Sequence, residues 1–363
     1  MKILVVGYMH PKYDKRVFRT VKALSKNNEV IYQYWTNQHE KGYIEGNIKY
    51  IPIYYVKNTH DNPMKKLRRR RSLDKDIKDI VKNEKYDVLY MHHFLASRPV
   101  APFKEAKKRG KQVFFDIHEY HPENFLNSLE GFTKKIKEAI VWNFFKKQIN
   151  YSDKLVFVSE DMKKDILKSL GIEKDYFVLK NYAKNSVDSK SKKKSIAFVG
   201  GVNRNLDDEK EILKELINRG FEFNIIGMET DYFKEIDHNA TSFLPYEEMM
   251  ERLSEEAFSL ISFNTVNSRS YKNDVFSLPN KYYDSIAAET PVIVRNSFVS
   301  MAKEVEEKNI GVVIDPNDVK DSVQKIENAY ENYEEMMENI KKYKHEFVWT
   351  EEIEKDFVDF VVD

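Results

Sequence analysis

Short apolar runs alternate with amphipathic stretches from the first residues onward. "KILVV" predicts a buried strand ending at Gly7, and "DKRVFRTVKALSKNN" spaces its apolar residues for one helix face, with Asp14 as N-cap. "EVIYQYW" then returns to strand, and this β-loop-α-β order is how a parallel, doubly wound sheet begins. The pattern repeats through the helix "SLDKDIKDIVKNEK", the strand "YDVLYMHHF", the helix "PVAPFKEAKKRG" closed by glycine, and the strand "KQVFFDIHEY". An aromatic helix around "KEAIVWNFFKKQINYS", the strand "KLVFVSE", the helix "DMKKDILKSLG" and the strand "DYFVLKN" complete an α/β domain expected over residues 1–183.

Residues 184–195 are polar, lysine-rich and aperiodic, the composition of a linker. The same grammar restarts beyond it: "SIAFVGG", "FEFNIIG", "AFSLISF" and "TPVIV" read as strands, and "DEKEILKELINRG", "PYEEMMERLSEE" and "PNKYYDSIAAE" as the helices between them. A second α/β domain is expected over 196–344, followed by a charged helical tail with apolar residues on one face.

Composition narrows the classes. The chain has 363 residues, 41% hydrophobic and 33% charged, enough to build two cores under a heavily charged surface. It has no cysteine, which excludes disulfides, thiolate metal sites and a cysteine nucleophile. A formal net charge of +1 argues against bulk electrostatic binding of nucleic acid. No segment approaches the roughly 18 apolar residues of a membrane span, so a cytoplasmic location is expected.

In a doubly wound sheet, ligands bind beyond the carboxyl ends of the strands, which directs attention to Gly7 through His10, His92, His93, His118, Glu119, Gly200 through Arg204, and the stretch leading to Lys281. "DIHEYHPE" offers Asp116, His118, Glu119, His121 and Glu123, but its histidines lack the helical spacing of a zincin, and no metal is expected. His118 reads either as a ligand-facing group or as a satisfied strand-end histidine. "FVGGVNRN" places Gly200 and Gly201 after a strand with Arg204 beyond, which suits a diphosphate but also describes a simple turn. In "SLPNKYYDSIAAETPVIV", Pro279 opens a helix and Lys281 lies in its first turn, where a cation is locally unfavourable unless an anion sits beside it. Asp284 shares that helix face, free either to meet hydroxyls or to form an i, i+3 ion pair with Lys281.

"SLPNKYYDSIAAETPVI", with "DIHEYHPE" and "FVGG…R" upstream in the same order, resembles the retaining glycosyltransferases of family 4, in a branch with an "LPNK" motif. The resemblance implies the GT-B fold: two Rossmann-like doubly wound domains facing a central cleft, with a C-terminal helix, here about 345–363, crossing back to the first domain. It further implies transfer of a sugar, with retention and without an obligatory metal or other cofactor, from a UDP- or GDP-sugar to a glycan or lipid-linked acceptor in cell-envelope or surface polysaccharide synthesis. By matching positions, Arg204 and Lys281 would hold the diphosphate and Asp284 the ribose, alongside Gly200, Gly201, Ser277, Leu278 and Asn280. His118 would face the sugar, with Gly7, His10, His92 and Glu119 on the acceptor side. Two departures stand out. Phe276 replaces a carboxylate, and Glu289 stands where a glycine is usual. The first motivates an alternative, a non-catalytic nucleotide-sugar or glycan-binding module of the same fold.

Residues 65–71, "KKLRRRR", concentrate six cations in seven positions. A solvated loop, a contact for anionic lipid at the inner membrane face, and a strip for an anionic acceptor polymer are the readings this block allows.

Overall fold

Runs of β-branched and aromatic residues assemble into two separate, mainly parallel sheets in the computed structural model, which describes residues 1–56, 62–92, 99–123, 131–189, 191–200, 206–227, 231–262 and 271–363. The first unit comprises Met1–Lys180 together with Glu351–Asp363, and the second Asn181–Thr350.

The first unit runs β1 (Lys2–Pro11), α1 (Lys15–Ser25), β2 (Glu29–Thr36), β3 (Tyr43–Glu45), β4 (Ile48–Tyr54), α2 (Pro63–Asn83), β5 (Val88–His92), α3 (Ala101–Lys108), β6 (Gln112–Ile117), α4 (Gly131–Tyr151), β7 (Lys154–Phe157), α5 (Glu160–Leu170) and β8 (Tyr176–Val178). Its strands are ordered β3-β4-β2-β1-β5-β6-β7-β8, with only β3 antiparallel to its neighbour. The order reverses between β1 and β5, the position where doubly wound sheets open a crevice. Right-handed crossovers put α2, α3 and α4 on one face, where α3 contacts both others.

The second unit runs β9 (Lys193–Val199), α6 (Asp207–Asn218), β10 (Glu222–Ile226), β11 (Asn239–Thr241), α7 (Tyr246–Ser254), β12 (Glu256–Ile261), α8 (Lys272–Val275), α9 (Asn280–Ala287), β13 (Val292–Arg295), α10 (Val299–Lys308), β14 (Gly311–Ile314), α11 (Val319–Glu331) and α12 (Tyr333–Tyr343). Its parallel sheet has the order β11-β10-β9-β12-β13-β14, reversing between β9 and β12. The last helix, α13 (Glu351–Val362), belongs to the first unit: Phe357 packs edge-on to Tyr90, Phe360 edge-on to Phe114, and Lys154 donates to the Phe360 carbonyl at 3.0 Å.

Several boundaries differ from the sequence reading. β1 does not stop at Gly7 but continues to Pro11, because the buried Gln33 side chain takes over where the ladder shifts register: Tyr8 N donates to its Oε1 (2.8 Å), and its Nε2 donates to the Tyr8 carbonyl (3.1 Å). Tyr8 adopts a left-handed φ of 54° there. The hairpin β3–β4 went unread. α2 starts at Pro63, capped by the Asn62 side chain accepting from Lys65 N at 2.9 Å, so the block 65–71 is helical rather than a loop. Lys193 to Ser195 already belong to β9, and the division between units falls after Lys180, with Ala183 bridging to Val348 inside the second unit.

Candidate functional site

At the reversal of the first sheet, strand register brings the polar groups together. His92 ends β5 and pairs in register with Asp116 of β6, and alternation along β6 puts Asp116 and His118 on the same side. His92 Nδ1 lies 3.0 Å from His118 Nε2 and 3.4 Å from Asp116 Oδ2, while the His10 ring sits 5.0 Å from that of His118. Asp116 is wholly buried and fully engaged: Arg16, from the first turn of α1, donates to Oδ1 at 2.7 Å, and Tyr90 donates to Oδ2 at 3.0 Å. Arg16 also donates to the Leu179 carbonyl at 2.5 Å, fastening α1 to the segment after β8.

The electrostatics follow from burial. Desolvation pushes both His92 and His118 below the usual imidazole range despite the nearby Asp116, so both rings are neutral near pH 7. Burial opposes the charge of Asp116, but the Arg16 guanidinium outweighs it and holds the carboxyl well below its usual range. Asp14 caps α1, its Oδ1 accepting from Arg16 N and Val17 N at 3.1 Å, and its Oδ2 lies 3.1 Å from His10 Nδ1. Burial works against its ionised form too, yet His10 and the helix amide depress its pKa. Thr20 donates to the Val17 carbonyl (2.8 Å) and lies 3.2 Å from His92 Nε2.

Metal-ligand atoms of His92, Asp116 and His118 fall within 4.8 Å of one another. Arg16 already supplies the positive charge that a divalent ion would bring, and both carboxylate oxygens have donors, so the group is balanced as it stands. Gly7 is buried, and a Cβ there would come within 2.9 Å of the Gln33 carbonyl; its role is close packing beneath the edge. Glu119 is exposed, while His118 lies against His92, Asp116 and His10.

At the reversal of the second sheet, Lys281 behaves differently. It lies in the first turn of α9, which contains no acidic residue, with Pro279 as N-cap. Its Nζ donates to the Ser262 carbonyl, just past β12, at 2.7 Å, and sits 4.4 Å from the centre of the Phe198 ring on β9. The ammonium is therefore held on the two strands that flank the reversal. Beside it, Ser262 Oγ donates to Glu209, the third residue of α6, and Glu209 forms a buried ion pair with Arg295 at the end of β13. α6 carries Asp207, Asp208 and Glu209 in its first turn, so of these two helix N-termini the cationic one is that of α9.

Gly200 follows β9 with φ 84° and open space around it, the conformation glycine permits. Gly201, Arg204 and His93 lie outside the described residues. Asn280 is exposed, Ser277 N donates to the Asp274 carbonyl at 3.1 Å, and the Leu278 carbonyl accepts from Asn181 at 2.8 Å. Asp284 is buried at 6% exposure, with its Oδ1 accepting from Tyr246 at 2.7 Å; burial and this carboxylate raise the Tyr246 pKa. Phe276, the missing carboxylate, is half-buried at the end of α8. Glu289 has a left-handed φ of 54°, the conformation that explains a glycine preference, and its carboxylate accepts from Lys344 (2.7 Å) and Ser189 N (3.0 Å). Sequence reasoning missed Arg16, Tyr90, Thr20, Glu209, Ser262 and Arg295. Only the strand-end position of Arg295 carried any signal.

Two sheets with these switch points define an α/β protein of the glycosyltransferase GT-B fold, and the comparisons agree. Residues 16–181 match Glycosyltransferase Family 4, and residues 196–349 match the Glucosyltransferase 3-like C-terminal domain. Among solved structures, sucrose-phosphate synthase from Thermosynechococcus elongatus is 10% identical with a TM-score of 0.70, over 99% of this chain and 98% of that one. WaaG, a glycosyltransferase involved in lipopolysaccharide biosynthesis, is 11% identical with a TM-score of 0.66, over 99% of both chains. The Anabaena protein HepE in complex with UDP is 10% identical with a TM-score of 0.63, over the full length of both. No curated protein matches the sequence. No helix among the described residues is long and apolar enough to cross a membrane.

Proposed function

We propose that the protein is a retaining glycosyltransferase that moves a sugar from a nucleoside-diphosphate donor, UDP- or GDP-linked, to a glycan or lipid-linked acceptor in cell-envelope or surface polysaccharide synthesis. The observation that carries this reading is Lys281: a cation at a helix N-terminus, fixed on the Ser262 carbonyl at the reversal of the second sheet, with the α9 amides beside it. Departure of a nucleoside diphosphate builds negative charge, and a fixed ammonium with converging amides stabilises that charge without a protein base. Arg204 is assigned to the same phosphates, and retention follows the family's stereochemical course.

The first unit supplies a neutral polar edge suited to sugar hydroxyls. Because Thr20 donates to the Val17 carbonyl, His92 donates to Thr20 and accepts from His118 Nε2–H, which leaves His118 Nδ1 as an acceptor for a hydroxyl proton. The basic block of α2 gives this unit an anionic partner, which we assign to a membrane surface.

Thermal unfolding with UDP, GDP, CDP and ADP, with and without magnesium, tests the donor site. One base should raise the unfolding temperature without magnesium, and Lys281→Ala should abolish that rise while barely changing the unliganded protein. An equal shift in Lys281→Ala would remove the phosphate assignment. Turnover of the matching nucleotide sugar, with the product anomer read by NMR, separates an enzyme from a binding module.

A further inference from the structure

Among the described residues, α4 has two apolar faces, and only one is buried. Val141, Phe145 and Ile149, four residues apart, are buried in the first unit. Phe132, Ile136 and Ile140 repeat the same spacing nine residues earlier, which at about 100° per residue places them on the opposite side of the helix. They are 77%, 47% and 48% exposed. Three large aliphatic or aromatic side chains in one exposed stripe are more than scattered surface hydrophobes.

The surroundings of the stripe identify its occupant. α4 contains five lysines and one glutamate, and Lys135 and Lys137 flank the stripe on either side. In a parallel sheet with right-handed crossovers, the N-termini of α2 and α4 emerge at the same carboxyl edge and on the same face, with α3 between them. The N-terminal half of α2 adds five exposed cations, Lys65, Lys66, Arg68, Arg69 and Arg71, and with them the exposed Met64 and Leu67. A second copy of this chain would bring one cationic rim against another, which disfavours self-association through this face. Apolar side chains inside a girdle of lysines and arginines are the pattern of a helix lying in the headgroup region of an anionic bilayer.

We propose that the N-terminal half of α4 inserts its Phe132, Ile136 and Ile140 stripe into an anionic lipid surface, with the basic half of α2 holding the headgroups alongside. The proposal rests on the assignment of α2 to a membrane surface and adds the apolar element that converts loose electrostatic attraction into seated binding. It holds whether or not the protein transfers a sugar.

The test is co-sedimentation of the full chain with phosphatidylcholine vesicles, pure or containing about one third phosphatidylglycerol. The protein should bind the anionic vesicles and not the neutral ones. The variant Phe132→Ser, Ile136→Ser, Ile140→Ser should bind roughly tenfold more weakly with unchanged thermal unfolding, since none of the three side chains is buried. Phe132→Trp should be quenched by spin-labelled lipid. Undiminished binding by the triple serine variant, with loss in Lys65→Glu, Lys66→Glu, Arg68→Glu, Arg71→Glu, would overturn the stripe and leave the basic block standing. Absence of binding by the unaltered chain would remove both. A change of oligomeric state in the triple serine variant, measured by light scattering, would make the occupant a second copy and equally overturn the proposal.

Discussion

Each unit places one buried arginine–carboxylate pair at the carboxyl edge of its sheet, and the two pairs are wired in opposite senses. In the first unit the arginine comes from the first turn of the first helix, Arg16 on α1, and the carboxylate from a strand two places away, Asp116 on β6. In the second, the carboxylate comes from the first turn of the first helix, Glu209 on α6, and the arginine from a strand two places away, Arg295 on β13. Topology is shared and charge is exchanged. At α6 the acids suit the positive helix end, whereas at α1 the N-cap Asp14 offsets an unfavourable cation. What this teaches is how one fold gives its two edges different chemistry. The first edge buries its charge internally and presents neutral imidazoles, while the second commits its acids to α6 and keeps the cation Lys281 at α9.

The largest effect should come from breaking the pairs. Arg16→Met leaves Asp116 wholly buried with only Tyr90 and neutral histidines for company, and should cost about 3–5 kcal/mol in chemical denaturation. Glu209→Met should cost less, because Asp208 lies 3.7 Å from Arg295 and can take up part of the charge. Equal losses would deny that the first edge is the more tightly closed of the two.

The glycines Gly7, within β1, and Gly200, just after β9, give the next contrast. Gly7→Ala drives a methyl to 2.9 Å from a backbone carbonyl, against Tyr32 and Val17 as well, and should cost about 1–3 kcal/mol. Gly200→Ala meets open space and only the penalty of φ 84°, about 1 kcal/mol. Unfolding midpoints of the two variants measure the difference.

Those glycines also show what was legible. The α/β class and the alternation of strand and helix in both units, the hairpin β3–β4 apart, could be read from apolar periodicity, since most buried strands are short runs of β-branched or aromatic residues. His10, His92 and His118 could be found because strand ends are where a doubly wound sheet binds. Their partners could not. Arg16 and Thr20 lie on a helix whose pattern reads only as amphipathic, and they reach Asp116 and His92 across 100 and 72 residues of sequence, respectively. Gly7 looked like a ligand-loop glycine because sequence carries no trace of the Gln33 side chain that stands in for a ladder partner. Glu289 looked like a departure, and only the backbone angle explains both the usual glycine and what the glutamate gains.

pH separates the units further. Burial depresses His92 and His118, so the unfolded chain takes up protons below about pH 6.5 that the native state refuses, and stability of the first unit should fall as pH drops through that range. In the second unit Lys192 is pushed down to about 7, chiefly by burial, against the attraction of Glu289 and Glu256. Between about pH 7 and 10.5 the unfolded state holds the lysine proton and the native state does not, so stability should rise with pH there, by at most about 1.4 kcal/mol per unit. Lys192→Met should be more stable than the unaltered chain at pH 7, with the gap closing towards pH 10. A gap independent of pH would show that Lys192 is charged throughout.

The smallest effect should be at Glu289, where two terms nearly cancel. Glu289→Gly removes a left-handed strain of about 1 kcal/mol, yet it strips Lys344 and Ser189 of a buried acceptor. Lys344 keeps Asp188, and a salt bridge of this partly exposed kind contributes at most about 1 kcal/mol. The net change in stability should therefore be within about 1 kcal/mol, too small to explain the glutamate by stability alone. The informative readout is Lys192, whose attraction to Glu289 opposes its burial: in Glu289→Gly its pKa should fall further, moving the alkaline rise in stability to lower pH. An unmoved rise would mean that Glu289 does not act on Lys192, and that its carboxylate serves only to pin Lys344 and the chain at Ser189.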